Sequence, residues 1–357
     1  MEQQDATSLT SVHPKKKNYY RIFAYVALAF VLIGSIAFVY RKELGLVLFD
    51  LFVAKPVKEV MNDSYVAVGT EVYSPPPSTT TSYDPFSILL LGVDPRGNER
   101  GRSDSIIFTV IRPDDNKLLL VSIPRDSYVD IIGKDKKTKI NAAHSYGGPK
   151  MSIDTVEHLL KNKINYYATV NFNGLKDFVN ALGGVKLPIT KLIENKHPYH
   201  DKLRIEPNKP IYDGQEALSY VRYREDSDEN RTMRQRIFLN SVMDELLTFK
   251  NLSNIPALLK IGGANFTTNM SSDFIVSVAK DFYMKNSLPT ISSYMLHGTG
   301  VRTDAWYYEI DADDLEYTQK LIANWLDPNM VASQLIDPAL GNNKDKDRGR
   351  DKDSRPM

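Results

Sequence analysis

The sequence predicts an α/β protein, α+β-like in its segregation, with a central mixed β-sheet flanked by helices on both faces. Three observations carry that expectation. Phe86 to Leu91, Ser105 to Ile111 and Leu118 to Ile123 are rich in β-formers and apolar at both odd and even positions, the pattern of strands covered on both sides. Further strand-like runs at Ala168 to Phe172, Val185 to Ile189 and Ile291 to Leu296 interleave with helical patterns. The chain has 357 residues, 42% hydrophobic and 25% charged, which is enough apolar matter for one large core.

Taken in order, residues 1–21 form a basic tail ending in Lys15, Lys16, Lys17 and Arg21. Ile22 to Tyr40 contains no charged residue, and its roughly 19 residues approach the span of a bilayer. Only Arg41 and Lys42 follow it directly, so the charge bias keeps the tail in the cytoplasm and sends the rest outside. The apolar stretch is long for a cleaved signal, so it reads as an uncleaved single-pass anchor over 22–40. Residues 41–82 are then juxtamembrane. Glu43 to Asn62 reads as an amphipathic helix along the membrane surface, and Ser74 to Ser82, with Pro75, Pro76 and Pro77, as a stiffened linker. The folded domain is expected over 83–330, with 331–357 a disordered tail whose last residues, Asn342 onward, are rich in Lys, Asp and Arg.

Within the domain, Pro113-Asp114-Asp115-Asn116 is a turn between the second and third strands. Helices are expected at Ser152 to Asn162 and at Gly174 to Leu182, the second capped by Asn173 and stopped by Gly183-Gly184. Asp213 caps a short helix, Gln215 to Tyr220, and a longer one runs on to about Phe249.

Between those two helices lies the stretch on which function turns, Ser219 to Gln235. Arg222 and Arg224 are two apart and share a face of an extended segment. Arg231, Arg234 and Gln235 share a helix face that continues into Phe238, Leu239, Val242, Leu246 and Phe249. An inward face that begins with guanidinium groups needs an anion, and planar forks at a helix start suit phosphate or pyrophosphate. Arg222 and Arg224 alone also fit a solvated turn. The apolar continuation, Phe238, Leu239 and Val242 included, either lines a lipid pocket or packs in the core.

Two carboxylates end adjacent strands. Asp94 closes Leu91-Gly92-Val93-Asp94, and Asp104 opens the next strand after an arginine-bearing loop. Paired oxygen ligands suit Mg2+, which takes few protein ligands and fills the rest with phosphate oxygens and water; a polar hairpin-like loop is the plainer alternative. Arg125, after the third strand, is a further cation, or the partner of Asp126. Lys139 could reach the same site, and Asn141 reads as a helix cap.

Other chemistries are set aside. The net charge of +1 gives no electrostatic case for nucleic acid, and zero cysteines exclude disulfides and thiolate metal sites. There is no Gly-x-Ser-x-Gly elbow, no phosphate-binding Gly-x-x-x-x-Gly-Lys-Ser/Thr loop and no His-Glu-x-x-His.

The ordered set Leu-Gly-Val-Asp94, Arg102-Ser-Asp104, Ser-Ile-Pro-Arg125-Asp126, Lys139-Ile-Asn141-Ala-Ala, Asp213-Gly-Gln-Glu-Ala-Leu-Ser-Tyr-Val-Arg222-Tyr-Arg224 and Asp228 with Arg231-x-x-Arg234-Gln235 resembles the LytR-CpsA-Psr family of cell-envelope proteins. The likeness covers roughly Ser87 to Leu247. Ser227 stands where the family often has Gly, and Arg236 where it often has a second Gln. The resemblance implies a Mg2+-dependent phosphotransferase that moves a glycopolymer (wall teichoic acid, capsule or a related secondary polymer) from undecaprenyl pyrophosphate to N-acetylmuramic acid of peptidoglycan. It implies a domain outside the plasma membrane of a Gram-positive-type bacterium. Arg102, Arg125, Lys139, Arg222, Arg224, Arg231 and Gln235 would then grip the pyrophosphate, Asp94 and Asp104 the metal, and Asp228 would orient the arginines or act as base. Arg125, Arg231 and Asp228 carry the catalytic expectation. A polyprenyl-pyrophosphate phosphatase, or a membrane-bound envelope regulator without catalysis, is the alternative. No feature of the sequence sets an oligomeric state.

Overall fold

Three apolar runs make the centre of the sheet. They are β1 (Phe86–Asp94), β2 (Arg102–Arg112) and β3 (Lys117–Ser122), joined as an antiparallel meander. The expected turn at 113–116 closes the second hairpin: Asn116 takes φ 51, and its N–H donates to the Pro113 carbonyl at 3.0 Å. The computed structural model describes residues 45–47, 49–68, 83–95, 100–197, 202–223, 225–226, 228–246, 261, 265–285 and 289–341.

Two small hairpins follow the meander in the chain or pack beside it, β4 (Tyr128–Ile131) with β5 (Lys136–Lys139) and, later, β11 (Gly298–Arg302) with β12 (Trp306–Ile310). β6 (Tyr166–Asn171) lies parallel to β1, β9 (Phe266–Thr268) antiparallel to β6, and β10 (Thr290–Met295) parallel to β3. The six strands run in the order β10-β3-β2-β1-β6-β9, a mixed sheet as expected. A two-residue pair, β7 (Ile193–Glu194) and β8 (Arg204–Ile205), stands apart.

Helices cover both faces. On one, Leu89, Val93, Phe108, Val110 and Val121 meet Val156 and Leu160 of α2 (Ala142–Leu160) and Leu321, Ile322 and Trp325 of α7 (Ala312–Leu326). On the other, Phe86 and Ile88 meet Phe274 of α6 (Ser272–Met284). Beside α6, α3 (Phe172–Leu182), α4 (Gly214–Arg222) and α5 (Asp228–Leu246) form a core of their own around Val179, Leu182, Ala217, Leu218 and Phe238.

Local chemistry explains several differences from expectation. The cap of α3 is Asn171, whose Oδ1 accepts from Gly174 N at 2.7 Å, not Asn173. α2 starts ten residues before the expected Ser152, because Gly148 at φ 66 absorbs the break at Pro149 and lets two helical pieces join. Asn141 takes helical angles and its side chain caps nothing. Val185 to Ile189 is no strand; it makes one bridge, Val185 to Tyr212, and gives Val185, Leu187 and Ile189 to the helical core. α4 is capped as expected: Asp213 Oδ1 accepts from Glu216 N at 2.9 Å, and Glu216 Oε2 accepts from Asp213 N at 3.1 Å.

The domain is also wider than 83–330. α1 (Lys55–Ser64) falls in the segment expected to lie on a membrane, yet Lys58 pairs with Asp273 of α6 at 2.6 Å. Just after it, Val66 N donates to the Thr268 carbonyl at 2.8 Å, and Tyr167 Oη donates to the Val66 carbonyl at 2.9 Å. At the other end residues 331–341 are held, not loose. Trp325 Nε1 donates to the Ile336 carbonyl at 3.0 Å, and Leu335 and Ile336 pack on the main core. The expected tail at 1–21, anchor at 22–40, linker at 74–82 and tail from 342 lie outside the described residues. Among the described residues no helix is long and apolar enough to cross a membrane.

Candidate active site

The site grows from an irregularity in the β1–β2 ladder. Gly92 pairs with Ser105 but Val93 pairs with Ser103, so Asp104 is an extra residue on β2. Such a bulge re-aims a side chain, and Asp104 and Ser105 both line a cavity of about 660 Å³. Gly92 borders the same cavity, and a Cβ there would sit 3.0 Å from that of Ser105. The backbone is thus kept slim where the cavity meets the sheet.

Arg125 enters from the turn after β3, which Ser127 N closes on the Pro124 carbonyl at 3.0 Å. Arg125 Nη1 donates to Asp104 Oδ1 at 2.5 Å, and its Nε lies 3.8 Å from Asp126 Oδ2. From the opposite wall α4 ends in Arg222, whose guanidinium stands 5.1 Å from the centre of the Phe172 ring. α5 contributes Arg231, only 7% exposed, and one turn on Gln235, whose Oε1 accepts from Ser105 Oγ at 3.5 Å. Arg125, Arg222, Arg231, Gln235 and Asp104 therefore share one cavity.

An apolar part of the lining adjoins them. Leu90, Ile107, Ala168 and Val170 supply the sheet side, and Phe172, Leu175, Phe238 and Leu239 the helix side. Of the three apolar residues weighed as lipid contacts, Phe238 and Leu239 line the cavity, whereas Val242 packs in the helical core. The cavity thus joins hydrocarbon-like walls to guanidinium groups.

Not every expected residue is there. Asp94 ends β1 opposite Arg102, and neither is in the lining; Arg102 is exposed. Lys139 pairs with Asp126 at 2.9 Å and is absent from the lining too. Arg224 and the side chain of Asp228 lie outside the described set, though Asp228 opens α5.

Arg234 corrects the reading of the helical stripe. It is 5% exposed and fully engaged: Nη1 and Nη2 donate to the two oxygens of Asp226 at 2.6 and 3.0 Å, Nε to the Tyr220 carbonyl at 3.1 Å, and Nη2 to the Tyr223 carbonyl at 2.5 Å. It clamps the end of α4 to α5 and has no fork left for a ligand. Spacing groups Arg231 with Arg234, but the turn before α5 folds back over Arg234, while Arg231 lines the cavity. Arg236 points elsewhere: Nη1 donates to Ser293 Oγ on β10, and burial holds its guanidinium below the ordinary arginine value.

Several lining residues were not anticipated. Asn171 caps α3 and borders the cavity. Asn195 and Lys202 come from the loop around β7 and β8. Gln215 and Ser219 follow on α4 at helical spacing, toward Arg222, and that spacing was the available signal.

Comparison with known proteins places this arrangement. The LytR_cpsA_psr family model matches residues 54–324, which takes in α1 and most of α7. A polyisoprenyl-teichoic acid–peptidoglycan teichoic acid transferase TagU of Bacillus cereus is 40% identical over 247 residues, covering 68% of this chain and 79% of the relative. The namesake from Enterococcus faecalis is 34% identical over 251 residues, covering 68% and 80%. Among solved structures, B. subtilis TagV superposes with a TM-score of 0.59 at 31% identity over 68% of this chain and 98% of its own. TagT bound to LI-WTA superposes with a TM-score of 0.57 at 28% identity over 73% and 99%. The chain belongs to the LytR_cpsA_psr family.

Proposed function

We propose that this chain transfers a glycopolymer from a polyprenyl pyrophosphate carrier to peptidoglycan; its relatives' names, which give teichoic acid transfer from polyisoprenyl-teichoic acid to peptidoglycan, support the transfer. One observation carries the reading: a cavity with hydrocarbon-like walls whose polar side holds Arg125, Arg222 and Arg231. A ligand that is a long alkane-like chain at one end and a doubly charged diphosphate at the other matches both halves.

The chemistry is a displacement at phosphorus. An acceptor hydroxyl, that of the muramic acid C6, attacks the phosphorus that bears the glycan. A new P–O bond forms and the bridging P–O bond breaks, leaving polyprenyl phosphate and a glycan–phosphate–sugar diester. The hydroxyl proton passes to a carboxylate, a role that falls to Asp228 at the start of α5. Such reactions depend on positioning and charge neutralisation. Arg125, Arg222, Arg231 and Gln235 hold the diphosphate, while Lys139 is engaged with Asp126.

The residues fit Mg2+. Asp94 and Asp104 are oxygen ligands ending paired strands, and next to Asp104 the buried Ser103 Oγ has no hydrogen-bond partner among the described residues. Mg2+ takes few protein ligands and completes its shell with phosphate and water. Asp94 and Asp104 would hold the ion, which supplies charge neutralisation at the bridging and leaving oxygens.

The apolar stretch at 22–40 anchors the chain, with the basic tail in the cytoplasm and the catalytic domain outside, next to its lipid substrate; the lysines before that stretch support this side assignment. The test is reconstitution of the full-length chain with a lipid-linked teichoic acid precursor and peptidoglycan oligomers. The expected product is polymer joined to the acceptor by a phosphodiester together with polyprenyl phosphate. Phosphate or glycan phosphate released without attachment would instead mark a hydrolase.

A further inference from the structure

Beside the arginine-bearing cavity, two hairpins present an aromatic and cationic surface that the transfer chemistry does not use. On β4, Val129 and Ile131 point inward and Tyr128 and Asp130 outward, so Tyr128 is 39% exposed. Its neighbours across the β4–β5 ladder are Lys139, opposite Tyr128, and Lys137, opposite Asp130, on the same outer face. Tyr307 of β12 meets Tyr128 with ring centres 4.5 Å apart and planes at 53°. Lys137 Nζ stands 4.9 Å from the Tyr128 ring centre, and Lys139 Nζ 5.8 Å from that of Tyr307.

This surface is wired to the site. Lys139 pairs with Asp126 at 2.9 Å, Asp126 lies 3.8 Å from Arg125 Nε, and Arg125 reaches the cavity. The Asp126 carbonyl also accepts from Tyr308 N at 2.9 Å, which fixes β12 to the same turn. The hairpin 128–139 carries four lysines against two aspartates, so its field favours an anionic partner.

We infer that the Tyr128–Tyr307 platform is the docking surface for the acceptor, an amino-sugar glycan strand bearing carboxylates. The inference rests on the transferase reading of the adjacent cavity. Pyranose rings offer C–H faces that stack on exposed aromatic rings, and tyrosine adds a hydroxyl for the ring edge. Lys137 and Lys139 answer the carboxylates of the attached peptides. A strand lying here brings a sugar hydroxyl toward Arg125 while the lipid-linked donor fills the cavity. Lys139, expected at the pyrophosphate, serves the acceptor instead.

The test uses full-length protein and peptidoglycan sacculi stripped of teichoic acid, with co-sedimentation as the readout. The Tyr128→Ala, Tyr307→Ala double variant should bind about tenfold more weakly, a loss of about 1.4 kcal/mol. Tyr128→Phe should retain binding, because the ring and not the hydroxyl supplies the stacking face. Lys137→Glu, an exposed change that spares both rings, should weaken binding and make it less salt-dependent. In the transfer assay, acceptor KM should rise about tenfold with kcat and donor KM unchanged. Sacculus binding unaffected by both the double variant and Lys137→Glu overturns the inference, as does a loss seen only toward anionic lipid vesicles or only in donor KM. Sacculus binding that depends on the tyrosines in a protein without transfer activity would instead sink the transferase reading and leave the platform standing.

Discussion

Leu89 and Leu90 are adjacent on β1 and meet opposite worlds. Leu89 faces α2 and α7, whose buried side chains pack against the sheet. Leu90 faces the side where α3, α4 and α5 pack chiefly on one another, and the space they leave is the 660 Å³ cavity. The first face is built for stability and the second for occupancy. The same sheet serves both because strand side chains alternate. The bulge at Asp104 then turns one carboxylate to the open side without disturbing the packed one.

The comparison can be broken first on the packed face. Phe108 is fully buried there, and Phe108→Ala should cost about 3–5 kcal/mol in urea unfolding. Leu90→Ala, on the cavity wall, should cost clearly less, about 1 kcal/mol, since it enlarges a space already present. Equal losses would mean that the two faces do not differ.

The next contrast is between two buried arginines one turn apart. Arg231→Ala should cut transfer about 10²–10³-fold, the scale of a lost charge-stabilising donor, and move the melting midpoint less than Arg234→Ala does. Arg234→Ala should do the reverse. Losing the bonds to Asp226 and two carbonyls should cost about 2 kcal/mol of stability, and activity should fall only as far as α5 loosens. Arg234→Lys cannot restore the two-pronged contact with Asp226 and should recover little.

The smallest expected effect concerns pH. His144 is buried, its Nδ1 lies 3.1 Å from the Gly101 carbonyl, and desolvation lowers its pKa from the ordinary 6.5. Below that value the unfolded chain takes up a proton that the folded chain resists. Stability should therefore fall as pH drops below about 6.5 and stay flat above it. Urea midpoints at neutral and mildly acidic pH should show the slope, and His144→Gln should remove it.

Much of this was legible beforehand, for reasons that can be named. Continuous apolar runs announce central strands, so β1, β2, β3, β6 and β10 were found. Asp213 announces a helix cap, and the cap is present. The arginines were singled out because a buried guanidinium needs an anion, but pattern alone gave Arg231 and Arg234 the same anion. Arg234 has one inside the chain, supplied by a turn whose path no spacing rule describes. The bulge was invisible because one extra residue leaves an apolar alternation intact on either side. The domain ends were misjudged because α1 and residues 331–341 are short and half-polar, and their burial comes from partners far along the chain, Asp273 and Thr268 for one, Trp325 for the other. Lys139 shows the same limit, since what it meets depends on a hairpin more than 150 residues later.

The central claim is that the open face of the sheet holds a polyprenyl pyrophosphate. Mass spectrometry of lipid co-purifying with the full-length protein tests it most directly, alongside a Leu90→Trp, Leu239→Trp variant that fills the cavity from both walls. Polyprenyl phosphate or pyrophosphate species bound to the wild type and lost from the filled variant are predicted. Equal lipid in both proteins, or none in either when the carrier is supplied in excess, would contradict the account.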